Sequence, residues 1–251
     1  GTIKKIMIGS FVGGGILSCL FFVIGSNYYA ILILSTIVAF VVQAVYPIID
    51  SWTVLNAEKN PTTNYGVTRA IGSVGYAITA AVVGGFFEKN GFQWIFILFV
   101  VMMALATLTC FGPKDTENTK KSEPLKITDV KKLFFNGQYI SFVIISTLLY
   151  IAYKSCSGFL PVLMEKVGGT TTELGYAWSV LGMSEVPALL LAGIILTKVK
   201  DSHLIVISMF FFVLRVALPS FATTPTQLIW MTAIQGLSYG FFLPASVKFI
   251  S

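Results

Sequence analysis

Five charged side chains stand inside or at the edge of long apolar runs: Asp50, Arg69, Lys154, Glu185 and Arg215. A charge in hydrocarbon costs at least about 2.5–3.5 kcal/mol near a helix centre, so each is expected to face a protein interior or an aqueous cavity. On helices rising about 1.5 Å per residue, distance from the connecting turn gives depth. Asp50 and Arg69 are equidistant from a point within the 58–63 connector and so lie at about one depth on consecutive antiparallel helices. Glu185 and Arg215 are matched in the same way about the 198–203 loop, and Lys154 and Glu185 about the 168–172 loop. The second half thus carries an acid and two bases at one level, about 15 residues or roughly 22 Å of helix from their loops. Equal depth permits pairing without deciding it. Lys154 neutralising Glu185, a structural Glu185–Arg215 pair, and a snorkelling interfacial Asp50–Arg69 pair all stay open.

Polar and aromatic side chains recur at helical spacing around these charges. Gln43 and Tyr46 precede Asp50 by seven and four residues, and Ser73 and Tyr76 follow Arg69 by four and seven. Each set is expected on one helix face. Tyr150 shares the face of Lys154, Tyr153 is the lysine's immediate neighbour and points partly away, and Gln235 reaches the level of Arg215. A carboxylate, a guanidinium and two tyrosines around a cleft suit a polar ligand with a flat or ring-shaped face. Ordinary helix packing is the competing explanation for the tyrosines.

Other chemistries find little support. No His-rich metal set, Ser–His pair or facing aspartate pair suggests an enzyme, and no metal or cofactor is expected. The lone histidine, His203, falls in a loop, and Cys19, Cys110 and Cys156 sit in apolar runs as small hydrophobes. Gly13-Gly14-Gly15 lies within an apolar run, so close helix packing explains it better than a phosphate loop; the same holds for Gly72, Gly75, Gly84 and Gly85.

The elements that must hold these residues follow from composition. Hydrophobic residues make up 55% of the chain and charged ones 11%, where a soluble domain carries roughly 25% charged. Runs near 7–25, 29–55, 65–87, 92–111, 138–163, 173–197, 203–222 and 226–249 are long enough to cross about 30 Å of hydrocarbon. The expected fold is an all-α polytopic membrane protein of about eight transmembrane helices. It divides into a helical half at 1–111, a polar linker at 112–137 and a second half at 138–251. With the N-terminus and linker on one side, that side holds Lys4, Lys5, Lys59, six linker lysines, Lys198, Lys200 and Lys248, against Lys89 and Lys166 opposite. The positive-inside rule makes the linker cytoplasmic and the location the inner or plasma membrane. The net charge of +6 therefore marks orientation rather than nucleic-acid binding. Residues 127–135 are either a short amphipathic helix on the inner leaflet or a solvated tether.

Pro47-Ile48-Ile49-Asp50 and Tyr65-Gly66-Val67-Thr68-Arg69-Ala70-Ile71-Gly72-Ser73-Val74-Gly75-Tyr76 resemble the fourth and fifth helices of lactose-permease-like major facilitator transporters. Gly175-Tyr176-Ala177-Trp178-Ser179, leading to Glu185 and then Arg215, is similar to the phenylpropionate-permease-like branch. The resemblance covers nearly the whole chain and places its helices at the third to tenth of twelve, making it a fragment. It implies that Asp50 and Arg69 bind substrate, that Tyr76 stacks on a sugar ring, and that Glu185 and Arg215 serve coupling and proton movement. Gln43, Tyr46, Ser73, Lys154 and Gln235 complete the candidate substrate site. Two departures stand out: Gln235 and Ser238 occupy the tenth-helix stretch where the family often has a histidine, and Lys154 is an unusual charge for the seventh helix.

The expected function is secondary transport of a small polar or ring-bearing solute (sugar, nucleoside or aromatic acid) by alternating access, with proton symport. The expected partners are that solute, protons and the lipid bilayer, with a monomer as functional unit. Facilitated uniport and a non-transporting membrane receptor are the alternatives.

Overall fold

The computed structural model describes residues 2–59, 65–112 and 135–250. The apolar runs form helices: α1 (Thr2–Cys19), α2 (Phe21–Ile24), α3 (Tyr28–Gln43), α4 (Val45–Lys59), α5 (Tyr65–Asn90), α6 (Ile95–Thr109), α7 (Gly137–Lys166), α8 (Thr171–Lys198), α9 (Asp201–Ala217), α10 (Pro225–Met231) and α11 (Gln235–Ile250). Among the described residues eight stretches are long and apolar enough to cross a membrane. Their ends fall within a few residues of the hydropathy boundaries, and the helix that carries the sixth stretch, α8, runs on to Lys198. Outward-facing side chains such as Val23 and Phe40 are apolar and exposed, as hydrocarbon requires. The 127–134 part of the candidate amphipathic segment, with most of the 112–137 linker, lies outside the described residues.

Local chemistry fixes the helix ends. Asn136 accepts from the Gln138 and Tyr139 amides to start α7. A capping box starts α8: the Thr170 hydroxyl accepts from the Glu173 amide at 3.2 Å, and the Glu173 carboxylate accepts from the Thr170 amide at 2.8 Å. These bonds satisfy donors that a helix start leaves open. The turn between α7 and α8 needs the positive φ of 78° at Gly168, which glycine adopts without a Cβ penalty.

The chain separates into two compact units, residues 1–65 with 90–119, and residues 66–89 with 120–251. In the first, α1 packs on α6 and α3 around Phe11, Val45 and Cys110. α3 and α4 run on as one span, Tyr28–Asn56, because Ala44 between them keeps helical backbone angles (φ −62°, ψ −22°), and that span carries Gln43, Tyr46 and Asp50.

In the second unit α11 packs against both α9 and α8. Leu204, Ile205, Phe212, Phe242 and Ala245 form one core cluster, and Leu160, Met164, Ala177 and Leu228 form another. Small residues let the backbones approach. A Cβ at Gly236 would collide with the Ser184 carbonyl, and one at Gly240 would come to 2.8 Å from Ala188 Cβ. α5 meets α8 in the same way, since a Cβ at Gly84 would lie 2.7 Å from Gly175 Cα. The Thr172 amide donates to Glu88 at 2.6 Å at the end of that contact. Gly72 and Gly75, expected in close packing, instead have open space where a Cβ would be. The side of α5 that packs carries Ala70, Ser73, Ala77 and Gly84.

Candidate functional site

The polar centre of the second unit forms around Glu185. The capping box and the Gly84–Gly175 approach set α8 against α5, and the Gly236–Ser184 approach sets it against α11. Glu185 is only 8% exposed. Its Oε2 accepts from the Ser73 hydroxyl at 3.0 Å, and its Oε1 accepts from Gln235 Nε2 at 2.5 Å. Both donors are neutral. Gln235 is fully buried, and its own Oε1 has no hydrogen-bond partner. The next residue repeats the pattern, with the Gly236 amide donating to the Ser184 hydroxyl at 3.1 Å.

Arg215 is buried to 5% exposure but holds no carboxylate. Its guanidinium carbon lies 4.3 Å from the centre of the Tyr153 ring, and Nη2 donates to Ser157 Oγ at 3.3 Å. Tyr153 is itself stacked on Tyr239, with ring centres 5.5 Å apart. Arg215 and Tyr239 therefore both pack against the Tyr153 ring. Buried Nη1 has no partner, and Arg215 borders a small cavity of about 20 Å³ with Cys156, Ser157 and Thr232. That volume suffices for one water.

Lys154 has a different setting. Its side chain is exposed on the open face of α7, with Nζ 5.6 Å from the Tyr153 ring centre. No ion pair among the described residues is recorded for Lys154, Glu185 or Arg215, whereas Lys248 pairs with Asp201 at 4.0 Å. The equal depth of the three charges in sequence thus becomes three separate solutions: neutral donors for the acid, an aromatic stack for the arginine, and an open groove for the lysine.

The remaining candidates divide between the units. Gln43, Tyr46 and Asp50 belong to the first, where Gln43 and Tyr46 are exposed and Asp50 is half-buried. Arg69, Ser73 and Tyr76 belong to the second. Ser73, expected beside Arg69 facing a ligand, is buried and committed to Glu185, because it shares the α8-facing side of α5 with Ala70 and Ala77. Arg69 is half-buried and Tyr76 is 48% exposed, with the Tyr76 ring edging Gly182 of α8. Two participants escaped the sequence reading, Ser157 and Tyr239. Each stands four residues beyond a side chain already singled out, Tyr153 and Gln235, and that spacing was the available signal. No group of three or more His, Cys, Asp or Glu side chains among the described residues could hold a metal.

An all-helical chain with eight such helices and buried mid-span charges fits a transporter core, and the family comparison agrees. The model of the MFS_1 like family matches residues 1–251. The chain belongs to that family. The major facilitator resemblance of the sequence motifs is thereby shown, and the eight helices fit part of that fold. Among curated relatives, "Maltose permease" of Geobacillus stearothermophilus is 23% identical over 247 residues, covering 96% of this chain and 62% of the relative. "Uncharacterized transporter YwbF" of Bacillus subtilis is 23% identical, covering 83% of this chain and 52% of the relative. "Multi-drug resistance efflux pump PmrA" of Streptococcus pneumoniae is 26% identical, covering 70% and 46%. The chain thus spans between about half and three-fifths of the relatives it matches.

Proposed function

We propose that this chain is the core of a secondary active transporter that moves a small polar or ring-bearing solute by alternating access and couples it to protons. Asp50, Arg69 and Tyr76, with Gln43 and Tyr46, supply substrate contacts from the early helices, and Lys154 supplies them from the later ones; Gln235, fully buried, acts through Glu185. Ser73 acts through Glu185. The protein works as a monomer in the inner or plasma membrane with the 112–137 linker cytoplasmic, on the strength of its lysine distribution.

One observation carries the reading. Glu185 lies within a membrane-spanning helix, buried, and is bonded only by the neutral donors Ser73 and Gln235. Ser73 and Gln235 carry no charge, so Glu185 has a donor on each oxygen without being tied to a cation. Ser73 and Gln235 reach Glu185 from two different helices, α5 and α11, so movement of either helix alters what the acid feels. The names "Maltose permease" and "Multi-drug resistance efflux pump" are compatible with solute movement in either direction.

The test is Glu185→Gln in the natural full-length protein reconstituted in liposomes. Solute exchange without a gradient should stay within a few-fold of wild type, while accumulation driven by a pH gradient is lost. Undiminished accumulation would remove Glu185 from proton coupling. A facilitated uniporter is the second reading, favoured by Gln235 and Ser238, two fully buried and non-titratable side chains on α11. It is distinguished by solute entry without proton movement in the wild-type protein.

A further inference from the structure

The contacts between α5 and α8 follow one antiparallel register. Glu88 meets Thr172, Gly84 meets Gly175, Ala77 meets Gly182, and Ser73 meets Glu185. Each step back along α5 is matched by a step forward along α8, so the four contacts make a single seam. It is closed by the absence of bulk. A Cβ at Gly175 would stand 2.7 Å from the Ala80 carbonyl oxygen, and one at Gly182 would stand 2.8 Å from the Tyr76 ring. Gly193 lies roughly three turns beyond Gly182 on the same face of α8. Among the described residues nothing comes within 4 Å of where its Cβ would be. The tight part of the seam therefore runs from Glu88 to the level of Glu185 and does not continue to the far end of α8.

Charge closes the seam at its Glu88 end. The first turn of a helix presents amides that need acceptors from outside the helix. The Thr170 hydroxyl, beside α8 in sequence, takes the Glu173 amide. The Thr172 amide donates instead to Glu88, a carboxylate carried by α5. That carboxylate also stands at the positive end of the α8 dipole. Glu88 is exposed, so water can replace either partner when the helices part. Ser73 and Glu185, at the other end of the tight seam, are buried and have only each other and Gln235 to turn to. The seam thus has a breakable polar contact at its rim and a sheltered one at its root. The lysine distribution puts the rim on the face opposite the 112–137 linker.

We propose, resting on the transporter reading, that Glu88 is an external latch: its carboxylate caps α8 from α5 and holds the seam shut, and its release opens a path from outside toward Glu185. Because Glu88 and Ser73 share one seam, the movement that frees the Thr172 amide also draws the Ser73 hydroxyl away from Glu185. External opening and a change in the hydrogen bonding of the buried acid are then one event.

The experiment uses the natural full-length protein in right-side-out vesicles, with its native cysteines replaced by serine and Ala77→Cys as reporter. Ala77 is 1% exposed and sits against Gly182 in the seam. The readout is the rate at which a membrane-impermeant maleimide added outside labels it. Glu88→Ala should raise that rate about two- to fivefold, the scale of one carboxylate at a helix N-terminus. Glu88→Gln, which keeps an acceptor and loses the charge, should raise it less. Glu173→Ala breaks only the capping box of α8 and should leave the rate as it was. A second reporter, Ala245→Cys in the core between α9 and α11, should stay unlabelled in every variant, which separates opening of the seam from unfolding. An unchanged rate in Glu88→Ala, an equal rise in Glu173→Ala, or labelling at both reporters would overturn the latch. Faster seam labelling in Glu88→Ala with no solute uptake by the wild type would leave the latch standing and sink the transporter reading. Solute uptake by the wild type with no faster labelling in Glu88→Ala would do the reverse.

Discussion

Glu185 and Lys154 stand at matched depth on consecutive helices, yet the protein treats them in opposite ways. The acid is sealed where α5, α8 and α11 converge and has a donor on each oxygen. The base is exposed on the open face of α7, beside a groove, with no carboxylate among the described residues within ion-pair reach. Burial of an ionisable group demands partners, and partners demand close helices. The small residues cluster accordingly: Gly84, Gly175, Gly182, Gly236 and Gly240 all make close approaches on the packed side, while Gly158, four residues from Lys154, has open space around it. The packed side surrounds its charge with donors from neighbouring helices, and the open side leaves its charge exposed.

That contrast can be broken by size. Gly236→Val forces a side chain into the Ser184 carbonyl and should destabilise the protein by about 3 kcal/mol, seen as a marked fall in melting temperature in detergent. Gly158→Ala should change stability by only about 0.5 kcal/mol, in the stabilising direction expected for a helix interior. Comparable losses at both positions would erase the distinction between the two sides.

Polarity sharpens it. Gln235→Leu removes one donor from Glu185 and should cost about 1–3 kcal/mol, read in the same melt. Tyr153→Leu takes away the ring under Arg215 and should cost roughly 2 kcal/mol for a desolvated cation–π contact, plus lost packing. Lys154→Gln should move the melting temperature least, by the equivalent of about 0.5 kcal/mol or less, as for a surface substitution. A large loss at Lys154 would mean that it is neutralised within the fold.

Much of the architecture was legible because hydropathy is a one-dimensional signal and the membrane imposes a one-dimensional ruler. Lengths, turns and the depth of each charge could be read off the chain, and depth brought Gln235, Arg215, Glu185 and Lys154 to one level. What depth omits is rotation about each helix axis. Ser73 was expected to share a ligand-facing side with Arg69, whereas the α8-facing stripe of α5 takes it inward. Gln235 was matched in depth to Arg215, and its amide nitrogen goes to Glu185. Which neighbour a side chain meets depends on where backbones come close. Glycine alone marks such places imperfectly, as the open surroundings of Gly72 and Gly75 show.

The most direct measurement reconstitutes the natural full-length protein in liposomes with a pH dye outside, and adds sugars, nucleosides and aromatic acids one at a time beside a Glu185→Gln control. The account expects external alkalinisation with one solute class in the wild type and none in the variant. Labelled solute entering the wild type with no change in external pH would contradict it, and would reduce Glu185 and its neutral donors to a structural or gating role.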